Sequence, residues 1–251
     1  MELVSPLTFI YTFYTSPLTY NLPSYTPHLS LSQPSLPPLI LTAFFLTHYL
    51  NRAIISPLRA PSRSKSHIIV PLFAVGFNLV NGFLIGAYLS SPTARAYLGA
   101  MGGLRSARLW AGLALAGVGF VGNVLHDEIL FDIRRKAKAK GKAKAPSPPP
   151  KDAPSSQKEH YAIPHGLLYS YISYPNYLCE WLEWLGFALA ASPLPSLASP
   201  EMFVMTITPP WLFLVSEVVL MLPRALKGHQ WYRERFEGYP EGRKAVVPFL
   251  I

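Results

Sequence analysis

The stretch RLWAGLALAGVGFVGNVLHDEILF (108–131) decides the fold class, because it is long and apolar enough to cross a lipid bilayer. A membrane-spanning helix needs about 20 mostly apolar residues. Four other stretches meet this requirement, at 39–57, 68–89, 167–191 and 203–223. Only 14% of the 251 residues are charged, against about 25% in soluble domains. The sequence therefore predicts an all-α integral membrane helical bundle with five clear transmembrane helices.

Small residues and prolines predict how these helices are shaped. Gly112, Gly117, Gly119 and Gly122 punctuate the third span, and such small residues let membrane helices approach closely. A proline inside a helix removes a hydrogen bond and clashes with the preceding turn. The pair at 209–210 therefore predicts a kink in the fifth span.

The distribution of basic residues predicts the orientation. No Lys or Arg precedes Arg52, whereas the 132–166 loop and the tail after Pro223 are rich in them. By the positive-inside rule, that loop and the C-terminus are cytosolic. Residues 1–38 are then expected to form a non-cytosolic or interfacial segment, followed by the membrane domain at 39–251.

The net charge of +9 comes largely from one low-complexity stretch. Nine of the 22 basic residues lie between Arg134 and Lys158. Residues 136–160, KAKAKGKAKAPSPPPKDAPSSQKEH, contain too few apolar side chains to offset the entropy of ordering. We therefore expect a disordered cytosolic insertion, not a basic face that binds nucleic acid.

Polar side chains gather at the predicted cytosolic ends of the spans. Asn123 and Asp127 are four residues apart and share a helix face, as Asn176 and Glu180 do. The other polar residues predicted at this level are His48, Tyr49, Arg52, His126, Arg134, Arg135, Tyr171, Glu183, His229, Tyr232, Arg233, Arg235, Arg243 and Lys244.

Two explanations of this convergence stay open. Polar residues near a membrane interface are inexpensive, and tryptophans such as Trp231 are common there. That explanation fits Glu180 and Glu183 poorly, because both stand inside the apolar helix EWLEWLGFALA. Two carboxylates there need partners, and Arg134 and Arg243 are the candidates. The alternative is a pocket for an anionic cofactor, in which arginines bind phosphate and carboxylates accept from hydroxyl or amide donors.

Several other classes of site are absent from the sequence. No G-x-G-x-x-G follows a strand, the cysteine and histidine spacing fits no zinc site, and no nucleophile elbow occurs. The single cysteine, Cys179, excludes an intramolecular disulfide framework.

Four blocks, in order along the chain, resemble the steroid 5α-reductase family (3-oxo-5α-steroid 4-dehydrogenase). They are NGFLIGAYL (81–89), GNVLHDEIL (122–130), IPHGLLYSYISYPNYLCEWLEWLGFALA (163–190) and HQWYRERFEGYPEGRKAVVPFLI (229–251). Weaker similarity begins at HYLNR (48–52), so the resemblance covers roughly 48–251 apart from the lysine-rich insertion.

The resemblance implies a multi-pass enzyme of the endoplasmic reticulum membrane. It would reduce the C=C bond of an enone lipid, most directly a 3-oxo-4-ene steroid or sterol, with hydride from NADPH added to the β carbon. The resemblance implies catalytic roles for Tyr49, which would face the substrate carbonyl, and for Arg52 nearby. The residues implied to line the NADPH site are Asn123, Asp127, Arg134, Tyr161, Asn176, Glu180, His229, Tyr232 and Arg243.

The sequence also departs from the family pattern. Members usually carry about seven spans, so the first two are expected to be missing here. With them goes a glutamate that partners the tyrosine at the substrate ketone, and the only acidic residue before Asp127 is Glu2. Ala162 stands where the family has a basic residue. Three alternatives remain: a reductase of a polyprenoid or trans-2-enoyl thioester, a catalytically impaired truncated paralogue, and a methyltransferase that uses S-adenosylmethionine. The sequence does not specify the oligomeric state.

Overall fold

The computed structural model describes residues 1–19, 35–61, 67–143 and 161–251. Within these ranges the chain forms helices and no β-strand, which confirms the all-α prediction. The helices are α1 (Val4–Thr15), α2 (Leu36–Arg59), α3 (Ile69–Ser90), α4 (Pro92–Ala100), α5 (Ala107–Ala143), α6 (Pro175–Ala191), α7 (Pro200–Thr206) and α8 (Pro209–Arg235).

Four of these helices are long and apolar enough to cross a membrane: α2, α3, α5 over Ala107–Ala139, and α8. Large apolar side chains remain exposed on their outer faces, with Leu72 and Phe73 each 64% exposed and Val219 62% exposed. Such continuous apolar surface marks contact with lipid. The chain is therefore a multi-pass membrane protein.

The predicted span at 167–191 is shorter than expected. The helix begins only at Pro175 and has 17 residues, about 26 Å at 1.5 Å per residue. The residue before a proline is disfavoured in the helical region. Tyr174, which precedes Pro175, accordingly has φ −126° and ψ 58° and lies outside the helix. The prediction of five clear transmembrane helices is therefore wrong in number. The described residues form four, with α6 as a shorter helix that is largely buried among them.

The glycines of α5 allow it to lie directly against α6. A Cβ added at Gly112 would lie 2.7 Å from the carbonyl oxygen of Gly186, and one at Gly119 would overlap the backbone of α6. Gly122 likewise faces α6, whereas Gly117 has open space around it. Gly117 precedes Gly119 by two residues and therefore points about 200° away from it around the helix. The predicted close approach is confirmed at three of the four glycines and is wrong for Gly117.

The N-terminal helix α1 packs against α3 as part of the bundle. Ser5, Phe9 and Thr12 line its buried face. Opposite them, Gly82 and Gly86 leave room for the backbone of α1, since a Cβ at either glycine would overlap it. The start of the chain thus contributes to the core, and its position relative to the membrane surface stays a prediction.

Two predicted segments are only partly described. Residues 20–34 of the N-terminal segment lie outside the described ranges, as do residues 144–160 of the lysine-rich insertion. The first part of that insertion is helical, because α5 continues to Ala143. The disordered insertion at 136–160 otherwise stays a prediction.

The prolines of the last span do not kink it as predicted. Pro209 and Pro210 form the first turn of α8, where backbone N–H groups have no helical partner. Residues 203–206 belong to the separate short helix α7. The predicted 203–223 span therefore begins later, and the helix contains Pro223 in its interior.

Aromatic side chains join four helices at the centre of the bundle. Phe45 of α2 stacks against Phe9 of α1 with ring centroids 4.4 Å apart, and it lies 6.0 Å from the ring of Trp184 on α6. Trp184 meets Phe213 of α8 edge to face at 4.6 Å. This core positions the neighbouring polar residues of α2 and α6.

An ion-pair clamp fixes one end of α2 to α5. Arg59 Nη2 lies 2.8 Å from Glu128 Oε2, and Arg135 Nη1 lies 2.6 Å from both Glu128 Oε1 and Asp132 Oδ1. Before this clamp, α2 widens into a π-helical turn over Asn51–Ile55. Such turns occur often at functional sites.

Candidate active site

Four predicted residues form one hydrogen-bonded network between α5 and α6. Asn123 Nδ2 donates to Glu180 Oε2 and to the backbone carbonyl of Asn176, each at 3.1 Å. Asn176 Nδ2 donates to Asp127 Oδ1 at 3.0 Å. The spacing of four residues on each helix places each amide one turn from a carboxylate. The sequence-based grouping of these four residues on facing stripes is confirmed.

Arg52 of α2 extends to the same network. Its Nη1 atom lies 3.7 Å from Asp127 Oδ2, and its Nη2 atom lies 3.7 Å from Glu180 Oε2. The arginine stands in the π-helical turn and bridges both carboxylates. Arg52 therefore balances the charge of both carboxylates. For Glu180, the sequence had suggested Arg134 or Arg243 as the partner.

Tyr49 lies deeper in the bundle, in a separate polar group. Its side chain is buried, and its phenol oxygen accepts a hydrogen bond from Asn81 Nδ2 at 2.7 Å. The same amide nitrogen lies 3.3 Å from Ser5 Oγ on α1. Sequence reasoning did not place Asn81 or Ser5 in the site, because neither carries charge and they are 76 positions apart.

His48 and Glu183 form a second buried pair; both belong to the predicted polar level, but neither was assigned a catalytic or cofactor-binding role. His48 Nδ1 lies 2.7 Å from Glu183 Oε1, and the carboxylate is fully buried. The imidazole also packs edge to face on Trp184, with ring centroids 4.7 Å apart. Glu183 thus pairs with the residue adjacent to Tyr49, and neither Arg134 nor Arg243 is its partner. The only sequence signal was that a carboxylate in an apolar helix needs a partner.

Arg243 is a buried cation without an acidic partner in the described part of the chain. It is 4% exposed. Its Nη2 atom lies 3.5 Å from His165 Nδ1, and its guanidinium carbon lies 5.2 Å from the Tyr239 ring centroid. Among the described residues, the Nε and Nη1 atoms have no hydrogen-bond partner. A buried charge is costly unless it is paired, so this site is suited to an anion.

The predicted residue His229 lies in a hydroxyl network beside Arg243. Ser173 Oγ lies 2.5 Å from His229 Nδ1 and 2.6 Å from the Tyr239 hydroxyl. Tyr232, also predicted, stacks on Tyr239 with centroids 5.7 Å apart. Ser173 additionally donates through its backbone N–H to the carbonyl of Lys244 at 2.9 Å. The turn before α6 and the C-terminal tail therefore hold this part of the site together.

The last two predicted residues lie towards the edge. Tyr161 is 44% exposed and packs edge to face on Trp231 at 5.0 Å. Arg134 is half-buried on α5, seven residues beyond Asp127 and about 10 Å along the helix. Burial raises the pKa of Tyr169 and of Tyr174 above the usual range. Among the described residues no group of His, Cys, Asp and Glu could hold a metal ion.

The helices and their polar interior define a multi-pass membrane protein with a buried polar site assembled from several spans. Comparison with known proteins identifies the family. A family model described as 3-oxo-5-alpha-steroid 4-dehydrogenase matches residues 152–251. The chain is 30% identical to 3-oxo-5-alpha-steroid 4-dehydrogenase 1 of Bos taurus, over 86% of this chain and 69% of that protein. It is 33% identical to steroid 5-alpha-reductase DET2 of Solanum lycopersicum, over 84% of this chain and 68% of that protein.

A further relative is an uncharacterized protein of Schizosaccharomyces pombe, which is 40% identical over all of this chain and 82% of its own length. The chain belongs to the steroid 5α-reductase family, as its sequence motifs predicted. It is therefore a member of a family of membrane oxidoreductases that act on steroids.

Proposed function

We propose that this protein is an NADPH-dependent reductase of the C=C bond of a 3-oxo-4-ene steroid or sterol in the endoplasmic reticulum membrane. Family membership supports the reaction class. The observation that carries the cofactor assignment is the buried guanidinium of Arg243, two of whose nitrogens have no partner among the described residues.

The residues present suit a dinucleotide with phosphate groups. A guanidinium binds phosphate through parallel charge-assisted hydrogen bonds, and Arg243 has nitrogens available for this. The Asn176 Oδ1 atom is also buried without a partner among the described residues, so it can accept from a hydroxyl or amide donor. The residues that would hold the cofactor are Asn123, Asp127, Arg134, Tyr161, Asn176, Glu180, His229, Tyr232 and Arg243. When bound, NADPH supplies a hydride for the β carbon of the enone.

Tyr49 is the proposed donor to the substrate ketone. As the β carbon gains hydride, the electron pair of the double bond shifts and negative charge develops on the ketone oxygen. A preorganised hydrogen-bond donor stabilises this charge. The phenol oxygen of Tyr49 already accepts from Asn81, which leaves its own proton for the ketone. Burial of Tyr49 and Asn81 excludes water and strengthens the interaction.

Arg52 holds the two parts of the proposed site together. It stands three residues from Tyr49 on α2 and approaches the carboxylates of Asp127 and Glu180. The arginine therefore fixes the helix that carries the donor to the helices that carry the cofactor residues. This position supports an electrostatic role beside the reacting groups.

The C-terminus is proposed to face the cytosol. Nine of the 22 basic residues lie in the 132–166 loop and six follow Pro223, and the positive-inside rule assigns both segments to the cytosol. The site residues at the ends of α5, α6 and α8 would then be open to cytosolic NADPH.

The experiment that tests the function uses membranes containing only this protein. They are incubated with a 4-ene-3-ketosteroid and NADPH, and a product two mass units heavier is expected. A polyprenoid and a trans-2-enoyl thioester serve as alternative substrates in parallel. Reduction of either one with no steroid turnover would move the substrate assignment, and absence of all three products would refute the reductase proposal.

The cofactor assignment is tested by binding to purified protein in nanodiscs. Arg243→Gln is expected to weaken NADPH binding by about 10-fold to 100-fold, since a charge-assisted bidentate contact contributes about 1.5–3 kcal/mol. Arg235→Gln is the matched control, because Arg235 is exposed near the end of α8. Equal affinities of both variants would contradict the role of Arg243.

A further inference from the structure

The N-terminal helix α1 brings a polar side chain into the apolar interior next to Tyr49. Ser5 is fully buried, and Asn81 is 4% exposed. The amide nitrogen of Asn81 joins both hydroxyls, at 2.7 Å from Tyr49 Oη and 3.3 Å from Ser5 Oγ. Three polar groups therefore meet where apolar packing would cost less.

The approach of α1 to this point depends on two glycines of α3. A Cβ at Gly86 would lie 2.8 Å from the carbonyl oxygen of Phe9, and a Cβ at Gly82 would overlap the carbonyl of Ser5. Gly82 directly follows Asn81 in sequence. Gly82, which leaves room for the α1 backbone, is thus adjacent to Asn81, whose amide donates to the Ser5 hydroxyl of that helix.

Packing alone does not account for the amide. The Oδ1 atom of Asn81 is buried and has no hydrogen-bond partner among the described residues. Leaving such an acceptor unpaired costs about 1–3 kcal/mol. An apolar residue of similar size would avoid this cost, so the presence of an amide here needs another explanation.

We infer that Asn81 and Ser5 position the phenol of Tyr49, which makes the N-terminal helix part of the active site. The inference rests on the proposed function, in which Tyr49 donates to the substrate ketone. Asn81 donates to the phenol oxygen and so fixes the direction of the O–H bond. It also makes the phenol a stronger donor, because the hydrogen bond that the oxygen accepts polarises its O–H bond. Ser5 accepts from the same nitrogen and holds the amide plane in place.

This arrangement supplies Tyr49 with a polar neighbour from α1. The sequence has no glutamate before Asp127 other than Glu2. The neutral amide of Asn81 contacts the phenol directly, and the Ser5 hydroxyl contacts the same amide nitrogen. Asn81 and Ser5 act through Tyr49, so both are positioning residues, and only Tyr49 touches the substrate.

The test is a double-mutant cycle on the full chain in nanodiscs, with kcat, KM and NADPH affinity measured for each variant. Asn81→Leu is expected to lower kcat by about 10-fold to 100-fold, the range for a misplaced catalytic group. KM and NADPH affinity should change less than about twofold, since the amide acts on the donor and leaves the cofactor network intact. Ser5→Ala should lower kcat in the same direction by a smaller factor.

The second half of the cycle separates positioning from packing. In the Tyr49→Phe background, Asn81→Leu should produce no further loss of kcat, because no phenol remains to be oriented. An equal loss in both backgrounds would overturn the inference and assign Asn81 a structural role. Thr12→Val is the control, because Thr12 lies on the buried face of α1 two turns beyond Ser5, and it should leave kcat unchanged.

The outcomes also distinguish this inference from the proposed function. Wild-type protein without reductase activity, or Tyr49→Phe with full activity, would refute the proposed function and the inference with it. Active wild-type protein, an impaired Tyr49→Phe variant and an additive cycle would refute the inference alone. Thermal unfolding of each variant identifies any that fails to fold. If Asn81→Leu fails to fold, Asn81→Ser takes its place, and kcat is again expected to decrease.

Discussion

Removal of the Glu183 carboxylate should destabilise the bundle strongly. Glu183 is fully buried, and its Oε1 atom lies 2.7 Å from His48 Nδ1. Glu183→Leu leaves the imidazole without this partner, and loss of one member of a buried pair costs about 3–5 kcal/mol. For a chain of this size, each kcal/mol lowers the unfolding midpoint by about 2–4 °C. The expected decrease is therefore roughly 6–20 °C.

The assay is thermal unfolding in detergent, monitored by tryptophan fluorescence. This signal is suitable because Trp184 packs on the ring of His48. Glu183→Gln keeps an oxygen acceptor and should cost only about 1 kcal/mol, the net contribution of an ordinary hydrogen bond. Combining Glu183→Leu with His48→Leu should recover most of the stability, since apolar replacement of a whole buried pair is often neutral. A double variant that unfolds earlier than Glu183→Leu alone would refute this reasoning and assign the loss to packing.

Three further predictions address the cofactor network, the donor and the helix interface. Glu180→Gln should weaken NADPH binding several-fold without lowering the unfolding midpoint by more than a few degrees, because Asn123 can still donate to the amide oxygen; unchanged binding in a titration would remove Glu180 from the cofactor site. Tyr49→Phe should lower kcat by about 100-fold with nearly unchanged NADPH affinity in the same titration, and full activity would exclude the phenol as donor. Gly119→Ala should cost about 1–3 kcal/mol because its Cβ would overlap the backbone of α6. Gly117→Ala, which faces open space, is the control in thermal unfolding, and equal midpoints would contradict the close approach.

Hydropathy predicted the spans well because bilayer thickness imposes a length that can be read from the sequence. It failed at 167–191, where apolar composition continues through the turn before Pro175 but the backbone does not remain helical. Helical spacing also predicted the network of Asn123, Asp127, Asn176 and Glu180, because residues four apart share a face in any helix. These successes depend on local periodicity.

The partners of individual side chains were harder to predict. His48 and Glu183 are 135 positions apart, and nothing in the spacing of either residue identifies the other. The contact of Ser5 with Asn81 joins helices whose relative placement depends on Gly82 and Gly86. Those glycines were not assigned a role from the sequence, because a glycine in a membrane span favours close packing without specifying the partner.

The π-helical turn at Asn51–Ile55 gives α2 one place where a residue can be lost without changing the phase of the rest of the helix. One end of α2 is fixed by Tyr49 and the bundle core, and the other by the ion pair between Arg59 and Glu128. A π turn contains one residue more than an α-helical turn would. Deleting Ala53 would therefore convert the π turn into an α-helical turn and leave Arg59 near Glu128. Deleting a residue outside the π turn would rotate the distal end by about 100° and separate the two. Homologous helices that are one residue shorter between these two anchor points should therefore lack the π turn.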